Sequence, residues 1–107
     1  MATLTAAYDN STDSAVVNRG IDEVVGISVP TGFVGTSLGI ESSDTSGGTY
    51  QTLSDHEGNA IAITVAADGD VGLPIDLLMG AGQFIKFISD QTEDGVSLTI
   101  RTVRIRP

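Results

Sequence analysis

Turn-forming residues cut this chain into short pieces, and no piece between them carries the 3.6-residue apolar period of a useful helix. The breaks fall at Asp9–Ser14, Asn18–Gly20, Pro30–Gly32, Ser42–Gly48, Asp55–Asn59, Asp68–Asp70, Gly80–Gly82 and Asp90–Gly95. Most combine Gly, which tolerates positive φ, with Asp, Asn or Ser, whose side chains bond nearby backbone. Short runs bounded in this way predict an all-β chain. They fit a single β-sandwich or jelly roll of about eight short antiparallel strands. The sandwich domain is expected over residues 14–107, preceded by a separable N-terminal arm over residues 1–13.

The runs themselves alternate with period two. Leu4, Ala6 and Tyr8 share one parity, Val25, Ile27 and Val29 another, and Leu38 and Ile40 a third. Ile61, Ile63 and Val65 alternate with Ala62, Thr64 and Ala66, the pattern of a half-buried strand. Gln83 to Ser89 is apolar on both parities, apart from Lys86, and reads as a central strand. Residues 71–82 are rich in Leu and Met and admit one short helical turn near 75–79. The last strand changes phase: Val96, Leu98 and Ile100 are even, whereas Val103 and Ile105 are odd. A one-residue slip of this kind calls for a β-bulge near Arg101–Thr102.

Charge narrows the function. The chain has 14 acidic and 5 basic side chains in 107 residues, for a net charge of −9. Residues 1–100 hold only Arg19 and Lys86 against all 14 acids, a net of −12. Phosphate binding needs clustered Lys and Arg, so no nucleic-acid partner is expected. No apolar run is long enough to span a bilayer, and no membrane partner is expected. The lack of Cys excludes a disulfide framework, a thiolate nucleophile and Cys-ligated metals.

Catalytic and cofactor motifs fail on inspection. His56 is the only His; Asp55 and Glu57 flank it, but neighbours on a turn do not form a triad. The carboxylates fall mostly on turns, and none occupies an apolar position that would raise its pKa. Gly80-x-Gly82 lacks the third Gly and the following helix of a dinucleotide site. Asp68, Asp70 and Asp76, or Ser43 to Thr45, offer oxygens for calcium but not in an EF-hand spacing. The expectation is therefore no enzyme, no cofactor and no metal.

Two groups remain as candidate contacts. Arg101, Arg104 and Arg106 form a basic cluster on the final strand of an acidic chain, suited to an acidic patch on a partner. Asp44, Tyr50 and Asp55 lie on loops, and Tyr50, beside a Ser/Gly turn, is the aromatic best placed for exposure.

The stretch Val24-Val25-Gly26-Ile27-Ser28-Val29-Pro30 is followed by Ser37-Leu38-Gly39-Ile40-Glu41-Ser42-Ser43-Asp44, then Gly48-Thr49-Tyr50-Gln51-Thr52-Leu53, Asp55 and Gly58. Together with Leu73-Pro74, Phe84-Ile85-Lys86-Phe87 and Val96 to Ile100, it resembles a small family of tailed-phage and prophage structural proteins, over roughly residues 20–105. The Ser-Ser-Asp to Gly-Gly-Thr-Tyr segment also resembles a galactose-binding-like jelly roll. The phage resemblance implies a virion component made in the host cytoplasm. Within that class the expectation is a capsid decoration (cement) protein on the exterior of the major capsid protein shell, acting as a dimer or trimer. The same resemblance accommodates a neck or tail component, and the jelly-roll likeness a glycan-binding module for host attachment.

Overall fold

The computed structural model describes residues 2–104 as ten β-strands in two antiparallel sheets, with no helix among them. The first sheet has the order β1-β10-β4-β8, from Ala2–Ala7, Ser97–Val103, Glu23–Ser28 and Asp70–Gly72. The second has β2 (Ser11–Asp13), β9 (Phe84–Glu93), β5 (Ser37–Ser43) and β6 (Gln51–Thr52) in order. In that sheet β3 (Val17–Asn18) also pairs β9, and β7 (Ala62–Thr64) pairs β5.

The alternation read from sequence puts the inward residues of both sheets into one core. Ala6, Ile27, Leu98 and Ile100 come from the first sheet, and Leu38, Ile40, Ile63, Ile85 and Phe87 from the second. Apolar burial of this kind stabilises by about 25 cal/mol per Å² removed from water. β9 is indeed central, between β2 and β5. Its outward Lys86 stands opposite Glu41 of β5, with its ammonium 4.5 Å from the centroid of the Tyr50 ring.

Four details depart from the sequence reading. The N-terminal residues form no separate arm: residues 2–7 pair with β10 in unbroken register from Ala2↔Thr102 to Ala7↔Ser97, and Ser11–Asp13 joins the other sheet. Tyr8 anchors the passage between sheets, donating to the Phe87 carbonyl at 2.8 Å and meeting the Phe33 ring edge-on at 5.7 Å. Residues 75–80 form successive turns, not a helix. Their bonds, Leu77 N to Pro74 O and Met79 N to Asp76 O, each span three residues but are not consecutive.

The bulge does lie beside Arg101–Thr102, but its extra residue belongs to β4. Arg101 faces Gly26 and Thr102 faces Val24, leaving Val25 without a partner. β10 therefore keeps its parity, burying Leu98, Ile100 and Thr102, while Val24 takes the inward place expected of Val25. Finally, Asp90 to Glu93 extends β9 where a turn was expected. Between its β2 partners at Ile88 and Glu93 the strand carries extra residues and the register shifts.

Candidate functional site

The turn segment 74–82 carries no strand, and two surface grooves meet on it. The first groove, about 480 Å³, has a half-buried apolar floor of Leu53, Ile61 and Leu77. Asp55, His56 and Asp76 supply its polar rim. The same turn carries Ile75 and Met79, which are 42% and 38% exposed. The second groove, about 410 Å³, is polar, with Ser43, Asp44, Thr45, Thr49 and Gln51 along one side and Gly80 and Gly82 along the other. Gly82 is required there because a Cβ would overlap the Ser43 carbonyl, 2.5 Å away.

This turn is held by a buried cation. Arg19 is 8% exposed. Its Nε donates to the Gly82 carbonyl at 2.9 Å and Nη2 donates to the Ala81 carbonyl. Nη1 reaches the Asp22 carbonyl at 3.0 Å and the buried Glu23 carboxylate at 3.3 Å. A guanidinium satisfied by three carbonyls and a carboxylate is a structural staple, since its desolvation is offset by a full set of acceptors. It fixes the end of the turn and hence the wall shared by the two grooves.

A second buried charge holds the opposite corner. Glu93 is 1% exposed, contrary to its expected place on an acidic turn over residues 90–95. It accepts from Val34 N at 2.9 Å, Gly35 N at 2.7 Å and Ser89 Oγ at 2.8 Å. Asp90 continues the row, accepting from Thr36 N at 2.9 Å and from the Thr36 hydroxyl at 3.2 Å. The Thr36 amide bond in particular holds the Asp90 carboxyl below the usual carboxylate range. A Cβ on Gly35 would collide with Ser89, Asp90 and Glu93. Burial, with Glu93 and Asp13 nearby, pushes the Tyr8 phenol well above its ordinary pKa. These carboxylates are consumed in tying the 33–36 loop to β9.

The residues singled out from sequence fall in several places. Asp44 and Asp55 line the two grooves that share Gly80. Asp55 also builds its own turn, accepting from Glu57 N at 2.9 Å and Asn59 N at 3.0 Å. Tyr50 is half-buried, donates its hydroxyl to the Ser46 carbonyl at 2.8 Å, and has Lys86 over its ring. It lines neither groove. Arg101 pairs with Asp70, and Arg104 Nε lies 2.8 Å from Asp22 Oδ1, so each of these arginines has an acidic partner within the chain at the surface. Arg106 lies outside the described residues. Among the described residues no three His, Asp or Glu side chains converge as a metal site would require. His56 meets Asp55 and Asp76 only around an open groove.

The residues that sequence reasoning missed are Arg19, Glu23 and Glu93. The weak signal for Arg19 was its isolation as one of two bases in the first hundred residues, next to a Gly turn. Comparison of the chain with protein families, curated proteins and solved structures gave no match.

Proposed function

We propose that this chain is a structural protein of a tailed-phage virion: a decoration protein that seats on the outer surface of the major capsid protein shell and stabilises it. The family resemblance over roughly residues 20–105 supplies the class. The observation that carries the reading further is the first groove, an apolar floor with exposed Ile75 and Met79 beside it and a rim of Asp55, His56 and Asp76. An apolar centre inside a polar rim is the anatomy of a protein contact.

The acidic surface adds a preference for the shell exterior, away from packaged DNA, because a −9 chain is repelled by phosphate. The internal pairing of Arg101 and Arg104 moves the proposed shell contact from the final strand to the groove. Tyr50, engaged through its hydroxyl and one ring face, gives the glycan reading little to build on.

The test is addition of purified protein to expanded capsids that lack it. Binding at a fixed ratio to the major capsid protein, with a rise in the melting temperature of the shell, supports the proposal. Recovery with tails and not with capsids replaces it with a neck or tail role.

A further inference from the structure

The two grooves on the 74–82 turn adjoin. Gly80 lines both, so one residue without a side chain separates the apolar floor of the first from the polar channel of the second. Nothing in the fold requires glycine at this position. Its φ lies outside the left-handed region, and a Cβ built on it meets no atom within 4 Å. A side chain there would stand in open space beside both grooves. Gly82, two residues on, is the contrast, since its Cβ would strike the Ser43 carbonyl.

The free charge around the grooves has one sign. Asp55 and Asp76 border the first groove and Asp44 the second, and all three are exposed. No Lys or Arg lines either groove. The ion pairs among the described residues are Arg19–Glu23, Arg101–Asp70 and Arg104–Asp22, and none takes these carboxylates. Asp55 spends only Oδ1 on its own turn. Arg19 reaches the turn from the buried side, with its donors on carbonyls and its charge against Glu23. Lys86 stands over the Tyr50 ring, opposite Glu41.

We propose that the two grooves together receive one extended segment of a partner protein, carrying a large apolar side chain and, two residues away, a basic one. The apolar side chain enters the first groove, onto Leu53, Ile61 and Leu77. The basic side chain lies across Gly80 and meets Asp44 in the second. Alternate side chains of an extended segment project to the same side roughly 7 Å apart, a reach that straddles a single glycine. Arginine suits the second groove best. Its rigid fork of five N–H donors matches a carboxylate set among the hydroxyls of Ser43 and Thr49 and the amide oxygen of Gln51.

The two halves of the contact divide the work. Apolar burial in the first groove supplies affinity, and the carboxylates draw in a basic segment and reject an acidic one. That the partner is the major capsid protein rests on the capsid reading. The alternation of apolar and basic side chains rests on the grooves alone.

The probe is a blocked peptide, acetyl-Gly-Ser-Leu-Ser-Arg-Ser-Gly-amide, with a control peptide in which Glu replaces Arg. Each is titrated into isotope-labelled protein near neutral pH and followed by amide chemical shifts. The Arg peptide should bind with a dissociation constant on the order of 1 mM. It should shift resonances on both sides of Gly80, in residues 53–62 and 42–51. The Glu peptide should bind at least about fivefold more weakly, and Asp44→Asn should weaken the Arg peptide by about three- to fivefold, as for an exposed ion pair. Gly80→Leu should abolish the shifts in residues 42–51 while the thermal midpoint stays near that of the parent.

Equal affinity for the two peptides, or binding indifferent to both Asp44→Asn and Gly80→Leu, overturns the proposal. So does the absence of shifts up to about 10 mM peptide. Shifts in residues 42–51 caused by calcium chloride alone, with none from the peptide, replace the segment by a cation. Expanded capsids separate this inference from the reading it rests on. Peptide binding without capsid binding ends the capsid reading and leaves the segment chemistry standing. Capsid binding unchanged by Asp44→Asn and Gly80→Leu does the reverse.

Discussion

Replacing Glu93 by Gln removes one charge and changes almost no volume, which makes it a clean probe of the buried corner. The carboxylate accepts three hydrogen bonds, two from backbone amides and one from a hydroxyl. A Gln amide has one accepting oxygen and one donating nitrogen. If the nitrogen takes the Oε1 place it faces the Val34 N–H; in the Oε2 place it faces the Gly35 N–H. Ser89 can rotate its hydroxyl and accept, but a backbone amide cannot, so one N–H is left without its acceptor in either orientation, the buried one of Gly35 or the part-buried one of Val34. That costs about 1–3 kcal/mol, and the surviving bonds lose their charge assistance. The expected loss is about 3 kcal/mol, which a domain of ordinary stability survives at 25 °C. Urea unfolding should show a lower midpoint at unchanged slope, and the thermal midpoint should drop by roughly 10–20 °C. Asp94→Asn, at an exposed neighbour, should stay within about 0.5 kcal/mol of the parent. A loss below about 1 kcal/mol for Glu93→Gln would refute the assignment of this carboxylate as the clamp on the 33–36 loop.

Two further outcomes follow from the other buried groups. Arg19→Met leaves the Ala81, Gly82 and Asp22 carbonyls without their donor and Glu23 buried without its cation. It should cost about 3–5 kcal/mol, and hydrogen exchange at Leu77, Met79 and Ala81 should accelerate before the sheets open. Tyr8 gives a pH dependence at the alkaline end. Its folded-state pKa is raised, chiefly by burial, so the folded form keeps its proton while the unfolded phenol ionises near pH 10. Stability from this group is intact below pH 10 and falls above it by about 1.4 kcal/mol per pH unit. Chemical denaturation from pH 9 to pH 11 should show that decline, and Tyr8→Phe should flatten it.

Much of the fold was legible because strand parity is a local property. Ile63 and Val65, Leu38 and Ile40, and Leu98 and Ile100 are inward for the reason their alternation implies. The bulge shows the limit of that reasoning. A phase change in β10 signals that one residue is out of step, but only the partner strand reveals that Val25 of β4 is the extra one. Thr102 fills an inward position that apolar counting assigns to its neighbours. The short strands Ser11–Asp13 and Asp70–Gly72 were hidden in polar runs, because edge strands need no apolar pattern of their own.

The candidate site was less legible, since its parts are distant in sequence. Asp44 and Asp55 read correctly as loop residues, yet the segment that brings their grooves together is 74–82, whose mixed Leu/Met pattern suits helix and turn alike. Arg19 reaches carbonyls more than sixty residues away, and Glu93 meets amides nearly sixty residues before it. A charged side chain reads as solvent-exposed until such partners are known. Arg101 and Arg104 cluster in sequence, and their acidic partners, Asp70 and Asp22, show only in space.

The central claim is that this domain seats on a capsid shell through the groove at the 74–82 turn. A cryo-electron microscopy reconstruction of expanded capsids mixed with the purified protein tests it most directly. The account predicts ordered density on the shell exterior with Ile75, Leu77 and Met79 turned toward the major capsid protein, and loss of that density with Met79→Asp. Bare capsids at saturating protein, or density attached through another face and unaffected by Met79→Asp, would contradict it.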